Sequence, residues 1–489
     1  MSYFDALKFI MPELAVTLGL LVVLAWDMFA RQREGETAIL SLGFLGITAG
    51  LILQRLGWDA LPQTVFGMVR VDSFALCFKL FITTAVAIVI ALDLMDRKAA
   101  RSGRPESQFL LLTAVLGSFF LVGADNLILL YLGLETLGLS SYALSGMHKR
   151  SPASAEAALK YVVYGAFASG ILLFGASLLY GLTGTLDLGD MGRPVLEALD
   201  RGDDIPVALS FLLILVGFGF KLSLFPFQWW APDVYQGVTT PIATFLAVGS
   251  KGVALAAFLR FLAAVFGPLA ALEDPYPILD SIRSLLALVA AMTILFGNLA
   301  AIRQNNLKRL LAYSSIAHAG YITMGVALLS EEGFAAATLY TFIYYLMNFG
   351  AFATVIYFAN QTGSEEIESL RGMGYRHPWA GAAAVVFLAS LTGLPPTAGF
   401  AGKYYLIQAA WAGGLGWLAL IAVVLSVVSL FYYFRIAKML FLRQREDEVP
   451  VLPARTLTGL LVVLAVLSIV FLDFEPIYEV AVSGVASLF

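Results

Sequence analysis

The sequence predicts an all-α polytopic membrane protein of about fourteen transmembrane helices containing two inverted five-helix repeats. Three observations carry this. The chain is 60% hydrophobic and only 13% charged, with a mean hydropathy of +0.85. Its apolar residues fall in repeated runs of about 20, the length that crosses a hydrocarbon core. Two of those runs, five crossings apart, carry prolines in mid-segment.

The runs lie at 14–30, 38–57, 73–94, 108–122, 126–147, 160–183, 206–236, 240–265, 282–302, 308–329, 334–359, 379–411, 416–441 and 456–472. The first begins at Leu14 without a basic leader or a small-residue cleavage site, and it passes through Trp26 and Asp27 to Arg31. It is expected to be a retained helix. The fourth and the last are the shortest. The seventh contains Lys221-Leu-Ser-Leu-Phe-Pro226-Phe, and the twelfth Leu391-Thr-Gly-Leu-Pro395-Pro-Thr-Ala-Gly399. Proline removes a backbone donor and crowds the preceding turn, so both are expected to be broken helices. An odd number of crossings returns the chain to the opposite side, so a tandem five-helix unit must be inverted. The expected units are 1–105 (three helices), 106–266 (helices 4 to 8), 267–445 (helices 9 to 13) and 446–489 (helix 14).

Cytoplasmic loops are enriched in Lys and Arg. Loops after odd-numbered segments carry Arg31 and Arg33; Arg97, Lys98, Arg101 and Arg104; Lys149 and Arg150; Arg303, Lys308 and Arg309; Arg371 and Arg376; and Arg435, Lys438, Arg443 and Arg445. The alternate loops are short or acidic, as in Asp187 to Asp204 and Glu331-Glu332. This predicts both termini on the outer side. The connection Ala231 to Thr240 has no basic residue and is the weak point of the pattern.

A net charge of -4 without a basic run argues against a nucleic-acid partner. Cys77 is the single cysteine, so no internal disulfide can form. The three histidines lack ligand spacing, and there is no GxGxxG or phosphate loop. No cofactor is expected in this chain.

Function is carried by ionisable residues inside apolar segments: Glu135, Lys221, Lys251, His318 and Lys403. A charge near the bilayer centre costs about 2.5–3.5 kcal/mol on insertion scales, so such groups are candidates for a proton or ion path. Their positions within their segments place all five at similar depth, as a lateral relay. Lysine suits a relay because burial favours its neutral form and a nearby carboxylate its charged form, whereas arginine does not deprotonate. Glu135 is expected to tune Lys221. Lys403, with no acid at its depth, is expected to be the group most easily neutralised and the exit toward the outer side. The competing reading of each residue is a structural interhelical pair. Lys79, Asp93, Asp27 and Arg260 lie nearer helix ends and are expected to snorkel. The aromatic residues are expected in interfacial belts and in packing.

The stretches Ser140-Ser-Tyr-Ala-Leu-Ser-Gly-Met-His-Lys-Arg, Ala155-Glu-Ala-Ala-Leu-Lys160-Tyr, Gly219-Phe-Lys221-Leu-Ser-Leu-Phe-Pro-Phe-Gln-Trp-Trp-Ala-Pro-Asp-Val-Tyr-Gln-Gly, Asn306-Leu-Lys308-Arg-Leu-Leu-Ala-Tyr-Ser-Ser-Ile-Ala-His318-Ala-Gly-Tyr and Gly393-Leu-Pro-Pro-Thr-Ala-Gly-Phe-Ala-Gly-Lys403 resemble the antiporter-like subunits of respiratory complex I. The resemblance covers nearly the whole chain. It implies a non-redox, proton-translocating subunit of an NADH:quinone oxidoreductase, with Glu135, Lys221, Lys251 and Lys403 at the family's membrane-embedded positions. It also implies its partners: the other membrane-arm subunits, a peripheral arm with flavin and iron-sulfur clusters, and the lipid bilayer of the bacterial cytoplasmic membrane. Lys403, where one branch of the family has glutamate, and the lack of room for a long lateral helix after segment 14 separate the chain from the other two branches. The alternatives are a subunit of a cation/proton antiporter complex, an autonomous secondary transporter and a scaffold of the membrane arm.

Overall fold

The computed structural model describes residues 3–29, 35–56, 61–97, 104–272, 276–443, 454–470 and 475–488. Of the orienting basic residues, Arg31, Arg33, Lys98, Arg101 and Arg445 lie outside the described residues. Each apolar segment is a helix or a pair of half-helices. These are α1 (Met11–Phe29), α2 (Glu36–Arg55), α3 (Ser73–Met95), α4 (Arg104–Val122), α5 (Leu127–Ser145) and α6 (Pro152–Thr183). The seventh segment divides into α7a (Asp204–Leu222) and α7b (Trp230–Gly237), and α8 spans Thr240–Ala270 with a π-helical turn at Leu246–Ser250. Then come α9 (Pro277–Ala301), α10 (Leu307–Val326), α11 (Glu331–Thr362), α12a (Pro378–Thr392), α12b (Ala398–Ala412), α13 (Gly416–Leu442) and α14 (Arg455–Val470). Proline stops both broken segments where expected. The fourth segment begins earlier than its hydropathy suggested, because polar residues from Arg104 extend the helix beyond the apolar run.

Several elements had no counterpart in the sequence reading, among them the short helices Tyr3–Phe9, Gly192–Asp200 and Met373–Arg376. A hairpin, β1 (Gln63–Val65) with β2 (Val69–Val71), fills the connection between α2 and α3. A short apolar helix, α15 (Glu475–Ala486), follows α14 and packs against α11 and α3, with Tyr478 stacked on Tyr405 at 4.6 Å.

Loop contacts sort the connections onto two ends of the bundle. At one end Val69 bridges Ala124, and Asn126 bridges Asp187, joining the loops after α2, α4 and α6. At the other, Arg97 donates to Asn360 at 3.1 Å, Asn306 bridges Glu366, and Gly372 donates to Met439 at 3.0 Å. That second end carries the described basic loops. The connection Ala231 to Thr240, which lacks basic residues, also lies there: Asp233 of α7b is bridged by Lys160 and Arg309. An acid clasped by two bases takes the place of the missing positive charge.

The inverted repeat is visible in local geometry. Asn126 caps α5, and the strand-like pairing beside it has Leu127 donating to Leu186 and Leu188 donating to Asp125. Asn306 caps α10, with Leu307 donating to Glu365 and Ile367 to Asn305. These two copies occupy opposite ends. Helices α6 and α11 are each 32 residues long and each ends on a left-handed glycine, Gly184 or Gly363. Close packing repeats as well: a Cβ on Gly117 would lie 2.9 Å from the Leu137 nitrogen, and one on Gly297 would lie 2.5 Å from the Ala317 nitrogen. Only glycine admits α4 onto α5 and α9 onto α10 at this distance.

Three charged residues expected to snorkel are buried instead. Lys79 is fully buried and donates to Glu13 at 2.6 Å, tying α3 to α1. Arg260 of α8 is bidentate to Asp72 at 2.8 and 2.9 Å and also donates to the Val122 carbonyl at 2.9 Å. Asp93 is buried too. The acids that hold these cations lie in α1 and at the start of α3, far in sequence, so position within a segment could not reveal them. Removing one member of a buried pair strands the other, at a cost of about 3–5 kcal/mol. Lys79→Met is therefore expected to lower the melting temperature of the detergent-solubilised protein, and the added change Glu13→Leu to recover most of the loss. A single variant that melts like the parent would show the pair to be idle.

Candidate functional site

The proline breaks place the first lysine. Helix α7a ends at Leu222, and Ser223 takes a left-handed conformation (φ 60°) while fully buried. A non-glycine residue held there by its surroundings is a strained position of the kind found at functional sites. The end is closed by Ser223 donating to Phe220 and Leu224 to Gly219, and the Trp230 indole donates to the Phe220 carbonyl at 2.9 Å. Lys221, in the last turn, is buried. Its Nζ lies 3.4 Å from the Tyr161 hydroxyl and over the rings of Tyr142 and Tyr161 at 5.9 and 5.6 Å. A cation at a helix C-terminus is favoured by the helix dipole.

The same turn recurs in α12. Gly393 is left-handed (φ 86°) and, with Leu394, closes the end of α12a onto Ala389 and Ser390. Here Lys403 supplies the remaining bonds, donating to the carbonyls of Leu391 at 3.2 Å and Thr392 at 2.8 Å and to Ser426 Oγ at 2.6 Å. Its Nζ lies 4.7 Å from the centre of the Tyr321 ring. The expectation that Lys403 lacks a partner is thus corrected: no acid meets it among the described residues, but the carbonyl end of a half-helix and a hydroxyl do.

Between the two breaks lie Lys251 and His318. Lys251 follows the π-helical turn of α8 and donates to Ser315 Oγ at 2.6 Å, which also accepts from Tyr344 at 2.8 Å. Ser315 stands nine residues after its cap Asn306, as Glu135 stands nine after Asn126, so in the second repeat a hydroxyl takes the carboxylate's place. A cavity of about 20 Å³ beside Lys251, Ser315, Thr323, Thr341 and Tyr344 has room for about one water. His318 is buried in α10, with Nδ1 2.7 Å from the Tyr340 hydroxyl and Nε2 3.5 Å from that of Tyr433. Tyr433 in turn bonds Ser314.

Lys221, Lys251, His318 and Lys403 therefore form one buried line, joined by Tyr161, Trp230 and Tyr235 on the first side and by Tyr344, Tyr340 and Tyr321 on the second. Glu135 stands slightly apart. It is half-buried and makes no ion pair with Lys221 among the described residues. Its Oε1 is buried without a hydrogen-bond partner among the described residues. The connecting tyrosines were missed in the sequence because they were read as packing residues. The spacing of Tyr340 and Tyr344 by one helical turn, with Asn348 one turn further on the same face, is the signal that could have found them. Among the described residues no group of His, Cys, Asp or Glu could hold a metal ion.

A second polar site opens at the basic end. A cleft of about 530 Å³ is lined by Arg97, His148, Thr239, Lys308 and Glu365. Lys308, nearly buried, pairs with Glu365 at 3.1 Å and donates to the Val238 carbonyl at 2.7 Å, where the chain turns into α8.

A family model described as NADH:quinone oxidoreductase/Mrp antiporter, transmembrane, matches residues 124–429. The NADH-quinone oxidoreductase subunit N of Anaeromyxobacter sp. (strain Fw109-5) is 40% identical over 95% of this chain and 92% of its own length. Among solved structures, a chain of respiratory complex I from Thermus thermophilus with bound aureothin superposes with a TM-score of 0.79 at 33% identity, covering 95% of this chain and 97% of that one. A chain of the Mrp complex from Dietzia sp. DQ12-45-1b reaches 0.81 at 19% identity, covering 99% and 97%, and so shares the fold.

In the cleft, burial pushes the His148 imidazole below its ordinary value, with Lys308 adding to the effect and Asp96 opposing it. The unfolded chain then binds this proton more readily than the folded one. The contribution of His148 to stability is complete above the ordinary histidine value of about 6.5 and is lost as pH falls through that value toward the folded one. His148→Gln is expected to flatten this part of the stability-versus-pH curve, measured by thermal unfolding between about pH 5 and 8. An unchanged slope would place the proton elsewhere.

Proposed function

The chain belongs to the NADH:quinone oxidoreductase/Mrp antiporter transmembrane family, and from that premise we propose that it translocates protons as a membrane-arm subunit of an NADH:quinone oxidoreductase. The observation that carries this is the buried line Lys221, Lys251, His318 and Lys403, in which no lysine has a carboxylate within salt-bridge distance among the described residues. Protons are exchanged by its lysine, hydroxyl and imidazole groups, with water at the cavity beside Lys251 and across the span at Trp230, where ring contacts alone join Tyr161 to Tyr235. Glu135 acts at a distance, its carboxylate attracting the Lys221 ammonium. The basic end of the bundle faces the cytoplasm of a bacterium and both chain termini the outer side, in accord with the excess of Lys and Arg. The partners are the other membrane-arm subunits and a peripheral arm carrying flavin and iron-sulfur clusters. The redox centres are assigned to that peripheral arm.

Substitution tests the assignment directly. In the assembled complex reconstituted into vesicles, Lys221→Met keeps the volume and removes the titrating group. It is expected to lower the protons moved per electron while the complex still assembles. Lys221→Arg is also expected to impair pumping, because its charge is permanent. Glu135→Gln is expected to slow turnover, and Glu135→Asp to keep part of it. Normal stoichiometry in Lys221→Met would defeat the relay, and equal losses in both Glu135 variants would assign that residue to packing.

Lys403 separates two roles in one residue. Lys403→Gln retains amide donors for the Leu391 and Thr392 carbonyls but cannot carry a proton. Moving one charge against the membrane potential takes about 2.3 kcal/mol per 100 mV, so the last group of the line must both bind and release. The glutamine variant is therefore expected to assemble with normal thermal stability and to lose pumping. Pumping at the parent rate would limit Lys403 to closing the helix end.

A further inference from the structure

Outside the buried line, one surface combines an apolar groove with a positive charge at a defined end. Phe225, Met292, Leu295, Phe296, Leu299 and Arg303 line an open groove of about 650 Å³ between the break of α7 and the last turns of α9. Its rim carries Trp229, 54% exposed and edge-on to Phe296 at 5.1 Å. The walls are hydrocarbon. The cationic group is Arg303, exposed, with no ion-pair partner among the described residues, at the basic end of the bundle. Arg435 stands beside it, bonded to the carbonyls of Ile302 and Gln304.

The dimensions match one leaflet. From Met292 to Arg303 the groove follows about 16 Å of helix, at 1.5 Å per residue. That is roughly half of a ~30 Å hydrocarbon core. Its apolar end is thus at mid-membrane, where α7 breaks, and its guanidinium at the headgroup level. We propose that the groove binds one acyl chain of an anionic phospholipid of the leaflet at the basic end, with the phosphate held by Arg303. An amphiphile needs charge at one end only, and that is how the groove is built. Arginine is suited to the phosphate because its fork donates two parallel bonds.

The lipid would touch the break that carries Lys221. The Phe225 amide donates to Thr293 Oγ1 at 2.9 Å, clasping the break to α9, and Phe225 is four residues from Lys221. A chain seated against Phe225 and Phe296, whose rings are 6.2 Å apart, holds that clasp closed. Lipid composition then bears on the position of Lys221 without entering the buried line.

The test is read without turnover, so its outcome is separate from that of the pumping assignment. The assembled complex in its native membrane is exchanged with phosphatidylglycerol carrying a diazirine at the acyl terminus, irradiated, digested and analysed by mass spectrometry. Adducts are expected on residues 225–229 and 292–299. Leu299→Trp, which fills the groove, is expected to abolish them. Arg303→Gln is expected to reduce them about fivefold, the worth of one basic residue at an anionic surface. Absence of adducts in the parent, with cross-links from these residues to a neighbouring subunit instead, would overturn the proposal, as would equal labelling by the phosphatidylcholine analogue in parent and Arg303→Gln.

Discussion

A helix that stops inside hydrocarbon leaves its last carbonyls without partners, and no water of the bulk phase reaches them. Two helices of this protein do so, and the arrangement of its buried charges follows from how those ends are closed. At α7a the last turn is closed by backbone amides and the Trp230 indole, and Lys221 lies within the turn. At α12a it is closed by backbone amides and by Lys403 itself, reaching back across the break. In both places the partial negative charge of a helix C-terminus meets an ammonium group. The breaks thus create sites where a lysine can hold a proton in the absence of a carboxylate.

The two repeats use one backbone and different side chains. Each has the same asparagine-capped helix, the same closing turn and the same glycine contact, but Glu135 in one is Ser315 in the other, and the closing donor is an indole in one and an ammonium in the other. A symmetric frame therefore carries an asymmetric line of titratable groups. The acid stands near one end of that line, and Lys403, bonded to two carbonyls and a hydroxyl, stands at the other.

Much of this was legible in the sequence, for physical reasons. Apolar runs report helices because a backbone in lipid must satisfy itself locally. Pro226 and Pro395 reported the breaks because a missing N–H cannot be hidden. Glu135, the three lysines and His318 stood out because charge in an apolar run is costly. What the sequence concealed were relations between distant segments. Lys79 and Arg260 seemed free to reach the interface because Glu13 and Asp72 are remote in the chain. The tyrosines along the line were indistinguishable from belt residues because a hydroxyl on an aromatic ring serves either place. The α15 helix was hidden by its length, too short to be read as a crossing.

The structure also divides the buried charges into two classes, and the division is itself informative. Away from the line, cations are matched to acids: Lys79 to Glu13, Arg260 to Asp72, Lys308 to Glu365. A buried pair of this kind fixes both charges, since neutralising either member strands the other. Along the line, Lys221, Lys251 and Lys403 meet hydroxyls, aromatic faces and carbonyls. Such partners orient an ammonium and can also bond a neutral amine, so neither protonation state leaves a charge stranded. Salt bridges would have made the fold's interior static. By keeping acids off its central lysines while spending them on the surrounding helices, the chain holds a rigid scaffold around a set of groups whose charge can change.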